Sequence, residues 1–402
     1  MDAKLYVSRL GGAAAVPPSK SAANRTVLCA GLSQGVSRLD NLEYSADISV
    51  MLDAITQLGA RVQKEEHAVT IQGRGASGGF VTVTRPVWCG ESGSALRFLL
   101  PTFSLTGQKV RFEQDRSGIT VFGRLQPGTF RMPGDVSSQF ISGLLFAAPL
   151  MEEACTIEVS PPFESRSYVG LTLDAMQRFG VKVSSRTRKD GTVVFRIPAP
   201  QTYKACDLAI EGDYSQAAFL AVLGSLVGGI AVTGLAEDTH QGDKAILDIL
   251  QRCGAKFHKE SDGLHFERSL MWATEIDLAD CPALGPVLFT LATFCGGATV
   301  IRNAGRLRLK ESDRIEAMAQ ELAKMGARVQ VDGDTVTIPQ TALHTPGVPL
   351  YGHNDHRIVM ALAVAAYGAG IPVTILGAEA VNKSWPGFFE VLQSLGAKIE
   401  LI

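Results

Sequence analysis

Apolar positions along the chain fall into two recurring helical patterns. In the first, apolar residues recur at three- and four-residue spacing, stop at a glycine, and resume in a short strand-like run. It appears as LDAITQLGARV (52–62), LDAMQRFGVKV (173–183), LDILQRCGAKF (247–257), AQELAKMGARV (319–329) and FEVLQSLGAKI (389–399). Such spacing gathers apolar side chains on one helix face. The glycine stands just past the helix end, where the backbone takes positive φ, and a strand begins beyond it. In the second pattern the residues are small and apolar all round, which predicts a helix with no solvent face. Segments near 25–35, 97–107, 140–151, 215–229, 285–297 and 357–369 are of this kind.

The two patterns alternate, which predicts a repeated βαβαββ-like unit. Gly180, Gly254, Gly326 and Gly396 recur at intervals of roughly 70–74 residues, whereas Gly59 and Gly180 stand too close together to hold two such units. One amphipathic helix, due around position 120, is missing. The chain therefore reads as six units, one of them truncated. Near-constant spacing over four copies argues against chance recurrence of a common α/β joint.

A chain of 402 residues is too long for one simple core and long enough for two domains. Hydrophobic content of 46% with 19% charged residues fits a globular protein rather than a disordered one. The formal net charge of −2 argues against a nucleic-acid partner, though it leaves room for a local basic cluster. Seven cysteines (29, 89, 155, 206, 253, 281 and 295) are scattered and never spaced Cys-x-x-Cys. They predict free thiols in a reducing compartment, without a zinc site, and a cytoplasmic location. Residues 1–20 lack the apolar core of a signal peptide. The uncharged stretches 217–236 and 358–378 are long enough to span a membrane. Both break at glycines and turn β-branched, so each is expected to be a buried helix, a stop and a strand.

Polar residues that can donate hydrogen bonds precede five of the buried helices: Ser19-Lys20-Ser21 with Asn24-Arg25, Glu91-Ser92-Gly93-Ser94, Ser137-Ser138-Gln139, Asp213-Tyr214-Ser215-Gln216, and His353-Asn354-Asp355-His356-Arg357. Hydroxyl residues there are ordinary N-caps. Capping does not account for Lys20, Arg25, His356 and Arg357 beside helices without a solvent face. A helix N-terminus with an added cation is an anion site, and several together fit a polyanionic substrate. A further run, 306–314, alternates Arg306, Arg308 and Lys310 with leucines ahead of a helix expected at 316–326. That alternation predicts a strand with one cationic face. Glu311 within it is either an acid/base or one half of a structural ion pair.

Five segments, PPSKSAANR (17–25), GDVSSQFISGLLFA (134–147), LRLKESDRIEAMA (307–319), NDHRIVMALA (354–363) and NKSWPGFFEVL (382–392), resemble in order the signature segments of the EPSP synthases, a branch of the enolpyruvyl transferases. The resemblance implies an α/β fold of two inside-out α/β barrel domains, each of three βαβαββ units, closing over a cleft. The expected domains are 1–16 with 213–402, and 17–212, the latter holding the unit truncated near 117–128. It implies transfer of the enolpyruvyl group of phosphoenolpyruvate to the 5-hydroxyl of shikimate 3-phosphate in the shikimate pathway, on the way to chorismate and the aromatic amino acids. Competition by glyphosate, a monomeric state, and no metal or organic cofactor come with it.

Carried over by position, Ser21, Arg25, Ser137, Ser138, Gln139, Ser165, Tyr168 and Lys310 would hold shikimate 3-phosphate. Lys20, Gly93, Arg116, Gln139, Arg314, Arg357 and Lys383 would hold phosphoenolpyruvate. Lys20, Glu311 and His356 would be the catalytic groups. Three departures stand out. Glu91 replaces the family's asparagine, the arginine-rich stretch and helix after Arg116 are absent, and the proline-aspartate that carries the base reads Cys281-Pro282-Ala283-Leu284. Alanine accepts no proton. Two other readings remain open: a ligand-binding homologue of this fold that has lost catalysis, and a transferase acting on a UDP-sugar.

Overall fold

The structure is a computed structural model and describes residues 1–75, 80–115 and 117–402. The chain forms two compact units, Met1–Pro17 with Gly212–Ile402, and Pro18–Glu211. Each has its own apolar core.

In the Pro18–Glu211 unit the helices are α1 (Lys20–Leu32), α2 (Ala46–Gln57), α3 (Gly93–Ser104), α4 (Ser138–Ala147) and α5 (Arg166–Arg178). The other unit holds α6 (Tyr214–Val227), α7 (Ala245–Arg252), α8 (Gly285–Phe294), α9 (Arg314–Lys324), α10 (His356–Ala369) and α11 (Phe388–Ser394). The six small-residue helices foreseen are α1, α3, α4, α6, α8 and α10, and they form the interior. Small side chains let them approach closely: a Cβ on Gly143 of α4 would stand 2.2 Å from the Arg97 carbonyl oxygen of α3. The Phe98 and Phe146 rings meet edge-on beside this crossing, 5.4 Å between centroids. In the other unit Thr290 of α8 donates its hydroxyl to the Ala361 carbonyl of α10 at 3.0 Å. The five amphipathic helices end as expected, with Gly59, Gly180, Gly254, Gly326 and Gly396 at φ between 80° and 103°.

Five of the six sheets have four strands in one repeating order. A first strand runs parallel to a second, and the second pairs antiparallel with the last strand of a hairpin. Thr129–Pro133, Cys155–Ser160, Val193–Ile197 and Ser184–Thr187 show the arrangement. Between the second strand and the hairpin the chain makes its amphipathic helix. The sixth sheet (Val87–Gly90, Val110–Gln114, Ser117–Val121) has three strands. Its second and last strands join directly as a hairpin, so both the amphipathic helix and one strand are gone. This is the truncated unit that glycine spacing exposed. One sheet departs differently: Val373–Leu376 and Lys398–Leu401 flank Ala3–Tyr6, a strand supplied from the far end of the sequence.

Neither uncharged stretch is a span. α6 stops at Gly228-Gly229, both at positive φ, before strand Ile230–Thr233, and α10 stops at Gly370 before Val373–Leu376. Among the described residues no helix is long and apolar enough to cross a membrane. The cationic strand expected at 306–310 is instead a 3₁₀ turn, Gly305–Leu309. Leu307 donates its N–H to Ala304 and packs against Gly285, while Leu309 is 83% exposed, so the two leucines do not share a face. The helix that follows begins at Arg314, two residues earlier than expected, because the Asp313 carboxylate accepts the N–H groups of Ile315 and Glu316.

Candidate active site

In the Pro18–Glu211 unit, serine hydroxyls cap the helices that carry the foreseen residues. Ser19 caps α1, Ser92 caps α3 and Ser137 caps α4, each accepting a backbone N–H of the first turn at 3.3 Å. Lys20 and Ser21 open α1, and Ser138 and Gln139 open α4. Arg25, one turn into α1, is buried. Its Nε donates to the Thr172 hydroxyl at 2.9 Å and its Nη1 to the Ser21 carbonyl at 2.6 Å. The guanidinium lies over the rings of Phe98 and Tyr168, at 5.0 and 5.9 Å. Both hydrogen-bond partners are neutral, and burial lowers the Arg25 pKa to about 10. A desolvated cation held by neutral groups is set to gain from an incoming anion. Ser165, before α5, is buried with φ of +50°, a left-handed conformation that few non-glycine residues adopt.

Three residues here were not foreseen. Asp47, in the first turn of α2, pairs with Lys20 at 2.7 Å. Arg97 of α3 donates to Gln139 Oε1 at 2.9 Å, stands over Phe140, and fills the space where a Gly93 side chain would be, 2.4 Å from a Cβ there. Thr172 of α5 links Arg25 to Ser142 at 2.7 Å. Arg116 lies outside the described residues.

In the other unit the caps are carboxylates: Asp213 on α6, Asp313 on α9 and Asp355 on α10. Asp355 is wholly buried and organises the foreseen cations. Arg314 Nε and Nη2 donate to its two oxygens at 2.8 and 3.1 Å, Ser312 donates at 3.0 Å, and the Arg357 N–H caps onto it at 2.9 Å. Burial pushes the Asp355 carboxyl up, but Arg314 outweighs this and holds it below the usual range. Glu311 pairs with Arg314 at 2.6 Å. The Arg357 guanidinium donates to Ser215 Oγ at 2.8 Å, and Lys383 to the Asn354 carbonyl at 2.7 Å. Burial, reinforced by Arg314 and Arg306, brings the Lys310 pKa down to about 8. His356 is 1% exposed, its Nδ1 3.9 Å from Asp355. Lys310, Glu311, Arg314, Arg357 and Lys383 are thus tied to one another through α9, α10 and the turns before them.

Ala283 lies in a short 3₁₀ turn, Pro282–Leu284. Asp280 is exposed there. A second carboxylate, that of buried Asp243, acts on the same segment: after burial itself, it is the main influence raising the Cys281 thiol.

Each unit thus repeats one α/β motif three times and carries hydroxyls and cations at its helix N-termini. The structure superposes on the EPSP synthase of Acinetobacter baumannii (TM-score 0.81, 22% identity, all of both chains). It also superposes on the enolpyruvyl transferase NikO of Streptomyces tendae (TM-score 0.78, 17% identity, 99% of this chain and 98% of that one). Residues 6–117 and 109–392 match the family profile of EPSP synthase (3-phosphoshikimate 1-carboxyvinyltransferase), and the chain belongs to that family. It is similar to the 3-phosphoshikimate 1-carboxyvinyltransferases of Clostridium kluyveri (38% identical over 427 residues, 98% of each chain) and Clostridioides difficile (36% over 431, 99% of this chain and 98% of that one). Both alignments are longer than this chain, so the relatives carry residues that it lacks.

Proposed function

We propose that the protein transfers the enolpyruvyl group of phosphoenolpyruvate to the 5-hydroxyl of shikimate 3-phosphate, releasing phosphate. The observation that carries this is a pair of clusters of hydrogen-bond donors and cations at helix starts, in a chain of this family. One is built from serine-capped helix starts around Arg25, the other from Lys310, Arg314, Arg357 and Lys383 around Asp355. Ser21, Arg25, Ser137, Ser138, Gln139, Ser165, Tyr168 and Lys310 take shikimate 3-phosphate. Lys20, Gly93, Gln139, Arg314, Arg357 and Lys383 take phosphoenolpyruvate.

The reaction is addition followed by elimination. The 5-hydroxyl oxygen bonds to C2 of phosphoenolpyruvate as C3 gains a proton, and the hydroxyl proton passes to a base. The tetrahedral intermediate then loses phosphate as C3 gives a proton back. Fixed cations stabilise the charge that develops, without reorganising at the moment of reaction. Glu311, Lys20 and Lys310 are the groups placed to move protons. His356, buried beside Asp355, is assigned to holding the clamp. Ala283 cannot be the base, and we assign that role to Asp243.

Binding of shikimate 3-phosphate by calorimetry, then phosphate release on adding phosphoenolpyruvate, tests the reading. Binding without release marks a non-catalytic homologue. Release with a UDP-sugar in place of shikimate 3-phosphate marks the other transferase class. For the base, Asp243→Asn should lower the rate by about 10²–10⁴-fold with affinity kept, and Ala283→Asp should give no gain. A gain of an order of magnitude or more in Ala283→Asp would show a site that lacks its base. We further propose a cytoplasmic monomer; the seven free cysteines fit a reducing compartment.

A further inference from the structure

The hairpin of Lys256–Glu260 and Gly263–Glu267 carries a cluster that the transfer reaction does not use. Its strands pair antiparallel, with His258 directly opposite His265 and Glu260 opposite Gly263. Side chains alternate along a strand, so Lys256, His258, Glu260, His265 and Glu267 share one face. Phe257 and Phe266 pack together on the other, centroids 5.1 Å apart. The two imidazoles stack 5.6 Å apart, inclined by 20°. His258 Nε2 is 2.9 Å from Glu260 Oε1, and His265 Nε2 is 3.9 Å from Oε2 of the same carboxylate. The turn adds Asp262, whose Oδ1 is 2.7 Å from His265 Nε2. One ligand atom each of Glu260, Asp262 and His265 lies within 4.8 Å of the others.

Exposed histidine–carboxylate pairs are ordinarily weak surface contacts. Two features set this cluster apart. Both Nε2 atoms turn toward one carboxylate, from residues locked opposite each other by the hairpin register. In addition, His258 Nδ1 is 3.7 Å from Glu267 Oε1, close enough that a small shift would let this outer carboxylate accept the ring N–H and orient a metal-bound imidazole. Ligands 2.0–2.2 Å from zinc in a tetrahedron stand about 3.3–3.6 Å apart. The Asp262–His265 and Glu260–His265 separations of 2.7 and 3.9 Å bracket that value, and His258, 2.9 Å from Glu260 but outside the group whose ligand atoms lie within 4.8 Å of one another, must turn its ring to join them.

We propose that this hairpin binds one divalent transition-metal ion through His258 Nε2, His265 Nε2 and the carboxylates of Glu260 and Asp262, with Glu267 positioning His258. Two imidazoles favour zinc or copper over magnesium or calcium, whose preferred ligands are all oxygen. The ion clips the hairpin and takes no part in enolpyruvyl transfer.

The test is calorimetric titration of the full chain, first stripped with EDTA, with zinc chloride and separately with magnesium chloride. The expected result is one zinc bound, unaffected by millimolar magnesium. Affinity should fall at least tenfold in His258→Gln and in His265→Gln and roughly tenfold in Glu267→Gln. The side chains are at least partly exposed, so the variants should melt like the parent without metal and keep its transferase activity. Zinc should raise the Tm of the parent but not of the double histidine variant. No zinc uptake at millimolar concentration would overturn the proposal. So would unchanged affinity in the double variant, which would place the ion on thiols elsewhere.

Discussion

The two units finish the N-termini of their helices with opposite charge arrangements. In Pro18–Glu211 the capping side chains of α1, α2, α3 and α4 are all serines. A hydroxyl satisfies a backbone N–H and leaves the positive end of the helix dipole unneutralised. In the other unit the caps of α6, α9 and α10 are aspartates, which neutralise the dipoles, and the positive charge is carried by arginine and lysine side chains built around them. The first arrangement keeps its buried cation, Arg25, waiting among neutral groups and pairs only the more exposed Lys20, with Asp47. The second pairs its central cation, Arg314, with two carboxylates, while Arg357 and Lys383 rest on a hydroxyl and a carbonyl beside it. One therefore relies on ligand for its electrostatic reward, and the other carries much of it in the empty protein.

The contrast breaks most visibly at the buried arginines. Arg314→Met should destabilise its unit by about 3–5 kcal/mol, because Asp355 is left buried without its partner. Urea unfolding measures this, and a loss under 1 kcal/mol would mean that Ser312 and the Arg357 N–H together satisfy the carboxylate. Arg25→Met should behave differently. With no buried carboxylate to orphan, its unit should unfold at nearly the parent urea concentration, while shikimate 3-phosphate binding weakens by about 2–5 kcal/mol. Equal losses of stability in the two variants would remove the distinction.

Exchanging cap types sharpens the comparison. Ser137→Asp keeps a good cap and adds a favourable dipole interaction, so stability should hold or rise. The new charge at an anion site should cost shikimate 3-phosphate affinity about 100-fold, since like charges across an interface cost several kcal/mol. Undiminished affinity would put the phosphate elsewhere.

The smallest effect concerns Lys310, whose folded pKa of about 8 lies below the roughly 10.4 of an unfolded lysine. Between those values the unfolded chain binds more protons, so the destabilisation from this amine is full below pH 8 and is relieved as pH rises. Ligand affinity runs the other way. An anion favours the charged amine, so affinity should be full below pH 8 and fall by up to about tenfold per pH unit above it. Calorimetry from pH 7 to 9.5, where phosphates are already dianionic, reads this directly. A flat profile that persists in Lys310→Met would take the amine out of the site.

The repeat was legible because a helix must end somewhere, and glycine at positive φ is the cheapest way to turn from α9-like helices into a strand. Even the missing helix of the second unit showed as a shortened interval. Serine and aspartate caps were legible for the same local reason. What escaped were partners joined by tertiary structure alone: Thr172 lies 147 residues from Arg25, and Asp47 reaches Lys20 from another helix. The alternation at 306–310 misled because strand and 3₁₀ turn cannot be told apart over five residues. The packing of Leu307 under Gly285, which decides the matter, is invisible to periodicity.

The strand Ala3–Tyr6 lies between Val373–Leu376 and Lys398–Leu401. It fills the place that the next strand of the last repeat would take, so the repeat cycle closes on itself across the sequence. During synthesis this early strand has no neighbours until nearly 400 residues have left the ribosome, whereas Pro18–Glu211 is already whole at mid-chain. A chain arrested before residue 370 should therefore present one protease-resistant body of the Pro18–Glu211 sequence and an exposed remainder. Moving residues 1–17 to follow residue 402 through a short linker should let the other unit assemble from a continuous stretch.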